Sequence, residues 1–236
     1  ATFQAANWSE LQEAVDHWVM DEPSATEWYG HISDWDTSLV TSMAYLFRIC
    51  HSYPSVFNSD ISRWNTTLVT DMQAMFSGCA GFNQNIGNWD TARVADMSQM
   101  FMDAHSFNQD IGSWNTQSLR DMSKMFKGAT AFNKDIRRWS TSQVGWFDSL
   151  FEQARSFNFN ITEWDVRCAV DMSRMFCLAD GFSFLDTLRS HWPMAPPRCE
   201  GARRKLTAKE KDACSRLDGR PASTRDELGL LPKLVV

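Results

Sequence analysis

Six tryptophans recur along the chain, at Trp35, Trp64, Trp89, Trp114, Trp139 and Trp164, and from Trp64 onward they stand 25 residues apart. Other columns keep the same step. Ile32, Ile61, Ile86, Ile111, Ile136 and Ile161 lie three residues before each Trp. Phe57, Phe82, Phe107, Phe132, Phe157 and Phe182 form a further column, and Asn follows the first five of them. Met43, Met72, Met97, Met122 and Met172 form one that Phe147 interrupts; Phe47, Phe76, Phe101, Phe126, Phe151 and Phe176 close the unit. Cys50, Cys79, Ala104, Ala129, Ala154 and Ala179 make a column of small residues. A unit this short cannot bury its own aromatic face, so neighbours must stack and share one core. The first interval is longer, which places a four-residue insertion within residues 48–55.

Each unit reads as two short elements. Asp110-Ile111-Gly112-Ser113-Trp114 suits a short strand. Thr116 or Ser118 then offers a helix N-cap, and Leu119, Met122, Met125 and Phe126 follow at helical spacing, with Gly128 as a stop. The expected fold is an α/β repeat solenoid: a stack of about six strand–short-helix coils behind an N-terminal capping helix. The expected parts are residues 1–30 as the N-terminal cap, 31–186 as the repeat solenoid, and 187–236 as a basic tail with a short helix. Asn7-Trp8-Ser9-Glu10 has the form of a capping box, and Leu11, Ala14, Val15, Trp18 and Val19 make one apolar face near residues 8–20. In the tail, Thr207-Ala208-Lys209-Glu210 starts a helix expected to run to Leu217.

Charge divides the chain. Residues 1–186 carry twelve Lys/Arg and twenty-three Asp/Glu, whereas residues 187–236 carry eleven and six. An acidic body does not hold a nucleic-acid backbone electrostatically, so no nucleic-acid partner is expected. The basic tail suits a solvated arm or an acidic partner. No run of eighteen apolar residues occurs, so no helix is expected to span a membrane; peripheral association stays open. The chain opens Ala1-Thr2-Phe3 without Met or a secretory pattern, so it starts either after a removed targeting segment or within a longer chain.

Chemistry is sparse. The six cysteines show neither a C-x-x-C nor a zinc-like Cys/His spacing. Cys50 and Cys79 share a column in adjacent units, which makes them candidates for a disulfide, and Cys199–Cys214 could close a loop in the tail. The alternative at Cys50 and Cys79 is that Cys simply serves as a small residue. His17, His31, His51, His105 and His191 form no column and no nucleophile–base spacing, so no catalytic residue is assigned. Two acidic columns, Asp60/Asn85/Asp110/Asp135/Asn160 and Asp71/Asp96/Asp121/Asp171, raise the idea of stacked calcium sites. Repeated turn and cap chemistry accounts for them better, because the spacing matches no calcium loop. No cofactor and no metal site are expected. Three sequons occur, at Asn7, Asn65 and Asn160, the last two arising from the repeat itself.

Phe107-Asn108-Gln109-Asp110-Ile111-Gly112-Ser113-Trp114-Asn115-Thr116, followed by Asp121-Met122-Ser123-Lys124-Met125-Phe126, resembles the BspA-type leucine-rich-repeat unit, over about residues 28–182. The resemblance implies that the α/β repeat solenoid is leucine-rich-repeat-like, of the kind used for adhesion or protein contacts on surface or secreted proteins, and it implies no catalytic residues. Two units depart from the pattern: the fifth has Trp146-Phe147 for Asp-Met, and the sixth reads Val166-Arg167-Cys168-Ala169-Val170. The expected function is a non-catalytic protein-binding or scaffold module. Such a module would be an accessory subunit of a multi-subunit assembly, held partly by the basic tail; the alternative is a secreted or cell-surface adhesion-type repeat protein. A secreted, surface or organelle-lumen location is favoured over cytosol. The candidate partner contacts are Trp28, Trp146 and Trp192, which lie off the repeating columns, and Arg203, Arg204 and Lys205 of the tail.

Overall fold

The computed structural model describes residues 2–52 and 57–192. Helix α1 (Trp8–Met20) begins where the Asn7 side chain accepts the Glu10 N–H at 3.1 Å, while the Glu10 carboxylate accepts the N–H of Ala6 at 3.0 Å. Its buried residues Leu11, Ala14, Val15, Trp18 and Val19 fall on one face at helical spacing. Helix α2 (Glu22–Tyr29) starts on the Asp21 side chain with Pro23 in its first turn, and stops at Gly30, whose φ is 73°. Helix α3 (Leu185–His191) follows the last unit. All three helices lie outside the repeat.

The expected strand–short-helix coils do not form, and the leucine-rich-repeat-like solenoid is corrected accordingly. Among the described residues no strand is longer than an isolated bridge, and no helix occurs inside residues 57–182. The stretch expected as a strand is a pair of turns: the Gly112 N–H donates to Asp110 Oδ1 at 3.0 Å, and the Trp114 N–H to the Ile111 carbonyl at 3.2 Å. A Cβ on Gly112 would collide with the Asp135 carbonyl of the next unit, so the turn also sits in close contact with its neighbour.

The stretch expected as a helix divides its backbone donors between two destinations. In the second unit, Met72, Ala74, Phe76 and Gly78 donate to the carbonyls of Asp96, Ser98, Met100 and Met102 in the third, at 2.7–2.9 Å. The N–H groups between them close turns within the unit: Met75 to Met72, Ser77 to Ala74 and Cys79 to Phe76. An α-helix would send every N–H back along its own chain. Here each interior unit has a neighbour on both sides, and alternate N–H groups reach across instead. The geometry needs left-handed residues, which recur in register: Tyr45, Ala74, Gln99, Lys124, Ser149 and Arg174 all have φ between 50° and 60°. A second such column contains Gly78, Asp103, Gly128, Gln153 and Leu178.

Side chains complete the register. Each Trp from Trp64 to Trp164 donates its indole N–H to the Ile carbonyl of the unit before, at 2.9–3.3 Å. Asn58, Asn83, Asn108, Asn133 and Asn158 each accept the backbone N–H 25 residues on, forming a ladder that ends at Ser183. Thr37, Thr66, Thr91, Thr116 and Thr141 donate forward to a carbonyl of the following unit. Between these rows lie the aromatic columns. Phe101 stacks on Phe107 at 3.8 Å and on Phe126 of the next unit at 5.7 Å, and Trp114 on Trp139 at 6.3 Å. The rings are fully or almost fully buried, each contributing about 1.5–3 kcal/mol.

The front of the stack is closed by α1. Carbonyls of the first unit have no unit before them, and side chains of the helix supply the donors. Trp8 Nε1 reaches the Ala44 carbonyl at 2.9 Å, and Gln12 Nε2 the Leu46 carbonyl at 2.8 Å.

Candidate functional site

The acidic columns resolve into turn chemistry. Asp71, Asp96, Asp121 and Asp171 each accept the N–H two residues on, at 2.7–2.9 Å, and so do Asp60, Asn85, Asp110, Asp135 and Asn160 at 2.9–3.1 Å. A third set, Asp36, Asn65, Asp90, Asn115 and Asp165, does the same, so that a turn on Asn115 stands just before Thr116 and Ser118, where a helix cap was expected. Burial pushes the Asp71 carboxyl above its ordinary range, against the hydrogen bond from Gln73. Among the described residues no group of His, Cys, Asp and Glu could hold a metal ion.

The histidines are tied locally. His17 faces Ser24 Oγ at 3.2 Å, and His105 Nδ1 the Gly128 carbonyl at 2.8 Å. His31, Ser33 and Asp34 form an exposed chain in which Ser33 Oγ lies 2.7 Å from His31 Nδ1 and donates to Asp34 at 3.5 Å. The carboxylate meets the hydroxyl rather than the imidazole, so it does not orient the ring as a nucleophile–base relay requires.

Three charged side chains join the last three units. Glu152, with 3% of its side chain exposed, receives Arg174 Nη2 at 2.6 Å and Lys127 Nζ at 3.3 Å. Burial alone would raise the Glu152 carboxyl, but the hydrogen bonds from Arg174 and Ser149 and the Lys127 charge hold it at about 2.

The structure separates the candidate contact residues. Trp28, on α2, is 75% exposed, and Met20 at the end of α1 is 66% exposed. Trp146 is not an exposed contact: it is 8% exposed and takes the Asp position of the fifth unit, bridging Asp121 and Asp171. Trp192 is 4% exposed and donates its indole N–H to the Thr162 carbonyl at 3.3 Å. Off-column position did not imply exposure, because Trp146 substitutes within a column and Trp192 packs on the last unit. Met20, which sequence reasoning missed, follows the last apolar residue of the α1 face and is left over from it. Beside it a shallow cleft is lined by Trp18, Val19, Pro23 and Phe57. Arg203, Arg204, Lys205, Cys199, Cys214 and the expected tail helix lie outside the described residues.

Cys50 and Cys79 are joined as a disulfide between the first and second units, with Cα atoms 4.9 Å apart. Cys168 and Cys177, both in the sixth unit, are also disulfide-bonded.

These features define a repeat protein built from turns, with a helical cap at its front. Residues 19–129 and 85–190 match the family described as Mycoplasma protein of unknown function, DUF285, and the chain belongs to that family. No curated protein and no solved structure matches the chain.

Proposed function

We propose that the chain is a non-catalytic protein-binding or scaffold module, an accessory subunit of a larger assembly held partly by its basic tail. The observation that carries this reading is the N-terminal cap. The repeat absorbs nearly every aromatic side chain into its stack, yet Trp28 and Met20 stay outside it on the adjoining helices. Exposed Trp is a frequent anchor in protein interfaces. Resemblance to the BspA-type repeat unit supports the same class of role. The test is purification of the tagged full chain from its native source, with identification of what accompanies it. A stoichiometric partner whose recovery falls at least five-fold in Trp28→Ala is the expected result; recovery of no stoichiometric partner rejects the reading.

The second reading, a secreted or surface adhesion-type protein, is favoured by the disulfides, which persist chiefly in oxidising compartments. Labelling of intact cells with a membrane-impermeant reagent separates the two: labelled chain supports the surface role, and protection of the chain in intact cells but not in lysed ones rejects it.

A further inference from the structure

The front cap keeps an apolar surface that the stack does not use, and that surface runs across two helices. Glu13, His17 and Met20 fall on one stripe of α1 by their helical spacing. Asp21, Ser24 and Trp28 repeat the pattern along α2, starting from its cap. His17 joins the two stripes. Its ring lies 3.2 Å from Ser24 Oγ, and its centroid lies 6.1 Å from that of Trp28 and 5.8 Å from that of Tyr29, both edge-on. Burial raises the pKa of the Tyr29 hydroxyl and the Glu13 carboxylate raises it further, so Glu13 faces the same side. Trp28 and Met20 are the two most exposed large apolar side chains among the described residues.

Charge narrows what can cover this surface. Residues 1–47 carry eight Asp/Glu and no Lys/Arg. The first cations along the chain are committed elsewhere: Arg48 pairs with Asp16 at 3.5 Å, and Arg63 with Asp34 at 2.9 Å. Glu13, Asp21, Glu22 and Glu27 are exposed and enter no ion pair among the described residues. Asp21 and Glu22 also edge the cleft whose apolar lining includes Trp18, Val19 and Phe57. A purely apolar partner would strip water from these carboxylates and return nothing to them. A second copy placed face to face would set carboxylates against carboxylates.

We propose that the partner of this surface is a protein segment carrying Lys or Arg beside an apolar side chain. The inference rests on the binding role proposed above and names the chemistry of what is bound. A cation set over the open Trp28 ring is drawn to its π face, and the four carboxylates around it add to that attraction. The apolar neighbour of the cation enters the cleft beside Met20. Opposite charge brings the two surfaces together and excludes anionic partners, while the aromatic anchor holds the contact once formed.

The test titrates the full chain into a fluorescein-labelled peptide of Leu-Lys-Lys repeats, with a peptide of Leu-Glu-Glu repeats as control, and reads fluorescence anisotropy. The cationic peptide is expected to bind and the anionic one to stay free. Trp28→Ala is expected to weaken binding at least five-fold. So is Glu13→Gln/Asp21→Asn/Glu22→Gln/Glu27→Gln, in which Asp21→Asn retains a capping side chain for α2. Asp90→Asn/Asp110→Asn/Glu163→Gln/Asp186→Asn removes the same charge from the body and is expected to leave the affinity within two-fold. No binding of the cationic peptide, a Trp28→Ala affinity equal to the parent's, or a body set as damaging as the cap set overturns the proposal. Self-association that Trp28→Ala abolishes, read by light scattering, assigns the surface to a second copy and also overturns it. Failure of the binding role itself looks different. A native partner that is lost in Trp28→Ala but retained in the cap carboxamide set leaves that role standing and overturns the cationic segment. Absence of any stoichiometric partner rejects the role, and the peptide titration decides the preference of the surface by itself.

Discussion

Single residues carry two kinds of stored cost. One is backbone strain: Lys124 holds a left-handed φ of 58° while donating its N–H to the Asp148 carbonyl at 2.9 Å. A side chain with a Cβ costs roughly 1 kcal/mol in that region, and a β-branched one more. Lys124→Gly is therefore expected to leave stability unchanged or raise it by up to about 1 kcal/mol, and Lys124→Val to lower it by about 1–2 kcal/mol, both read by urea unfolding. The other is charge. Glu152 is held at about 2, below its ordinary 4.5, by Arg174, Ser149 and Lys127 acting against burial. A carboxyl depressed by folding stabilises the fold fully above its unfolded value, and that contribution fades as pH falls from about 4.5 to about 2. Glu152→Gln is expected to flatten the acid limb of the melting profile in that window. An acid limb identical to the parent's would show that the three-unit cluster contributes nothing.

Elements show why part of the fold was legible in the sequence and part was not. The Trp, Ile, Phe and Met columns were readable because a buried position admits few residue types, and the 25-residue step repeats those types unit after unit. The conformation between the columns was not. Leu119, Met122, Met125 and Phe126 have the spacing of one helix face, but consecutive turns with alternate N–H groups directed outward bury the same positions. What distinguishes the two is the partner of each N–H, and that partner sits 24 residues away. A signal was nonetheless present: Asp-Met is followed by a polar residue, Gln73, Ser98, Ser123 or Ser173, the material of an Asx turn, within a segment too short to repay helix nucleation. The site residues fared similarly. Trp28 proved exposed, whereas Trp146 and Trp192 are buried by neighbours that spacing alone does not name. Helix α1 gives the element-scale prediction. Gln12→Leu keeps the apolar volume but removes the donor to the Leu46 carbonyl, and an unsatisfied buried acceptor costs about 1–3 kcal/mol. Loss of that order in denaturant unfolding is expected; a variant as stable as the parent would mean that water reaches the carbonyl.

At the scale of the molecule, stability is a chain of nearest-neighbour interfaces, because each unit bonds only to the units beside it. Removal of one interior unit in register, residues 97–121, rejoins Asp96 to Met122 and rebuilds the same contacts. That deletion is expected to fold with the same circular-dichroism shape and a modestly lower melting temperature; collapse to an unfolded chain would show longer-range dependence. The Cys50–Cys79 bond acts across this scheme by closing a 29-residue separation, which by loop-closure entropy contributes roughly 3.5 kcal/mol.

That same bond gives the molecule a mechanical character. Pulled at its two ends, a stack with only neighbour contacts comes apart one loop at a time. Each 25-residue loop that lets go lengthens the chain by roughly 85 Å, so the record of force against extension is a staircase of equal steps. The covalent clasp between the first two units withholds the length between Cys50 and Cys79 from that staircase. Under oxidising conditions the chain therefore yields behind its front pair, and opening the Cys50–Cys79 bond adds one further step of slack to the tether.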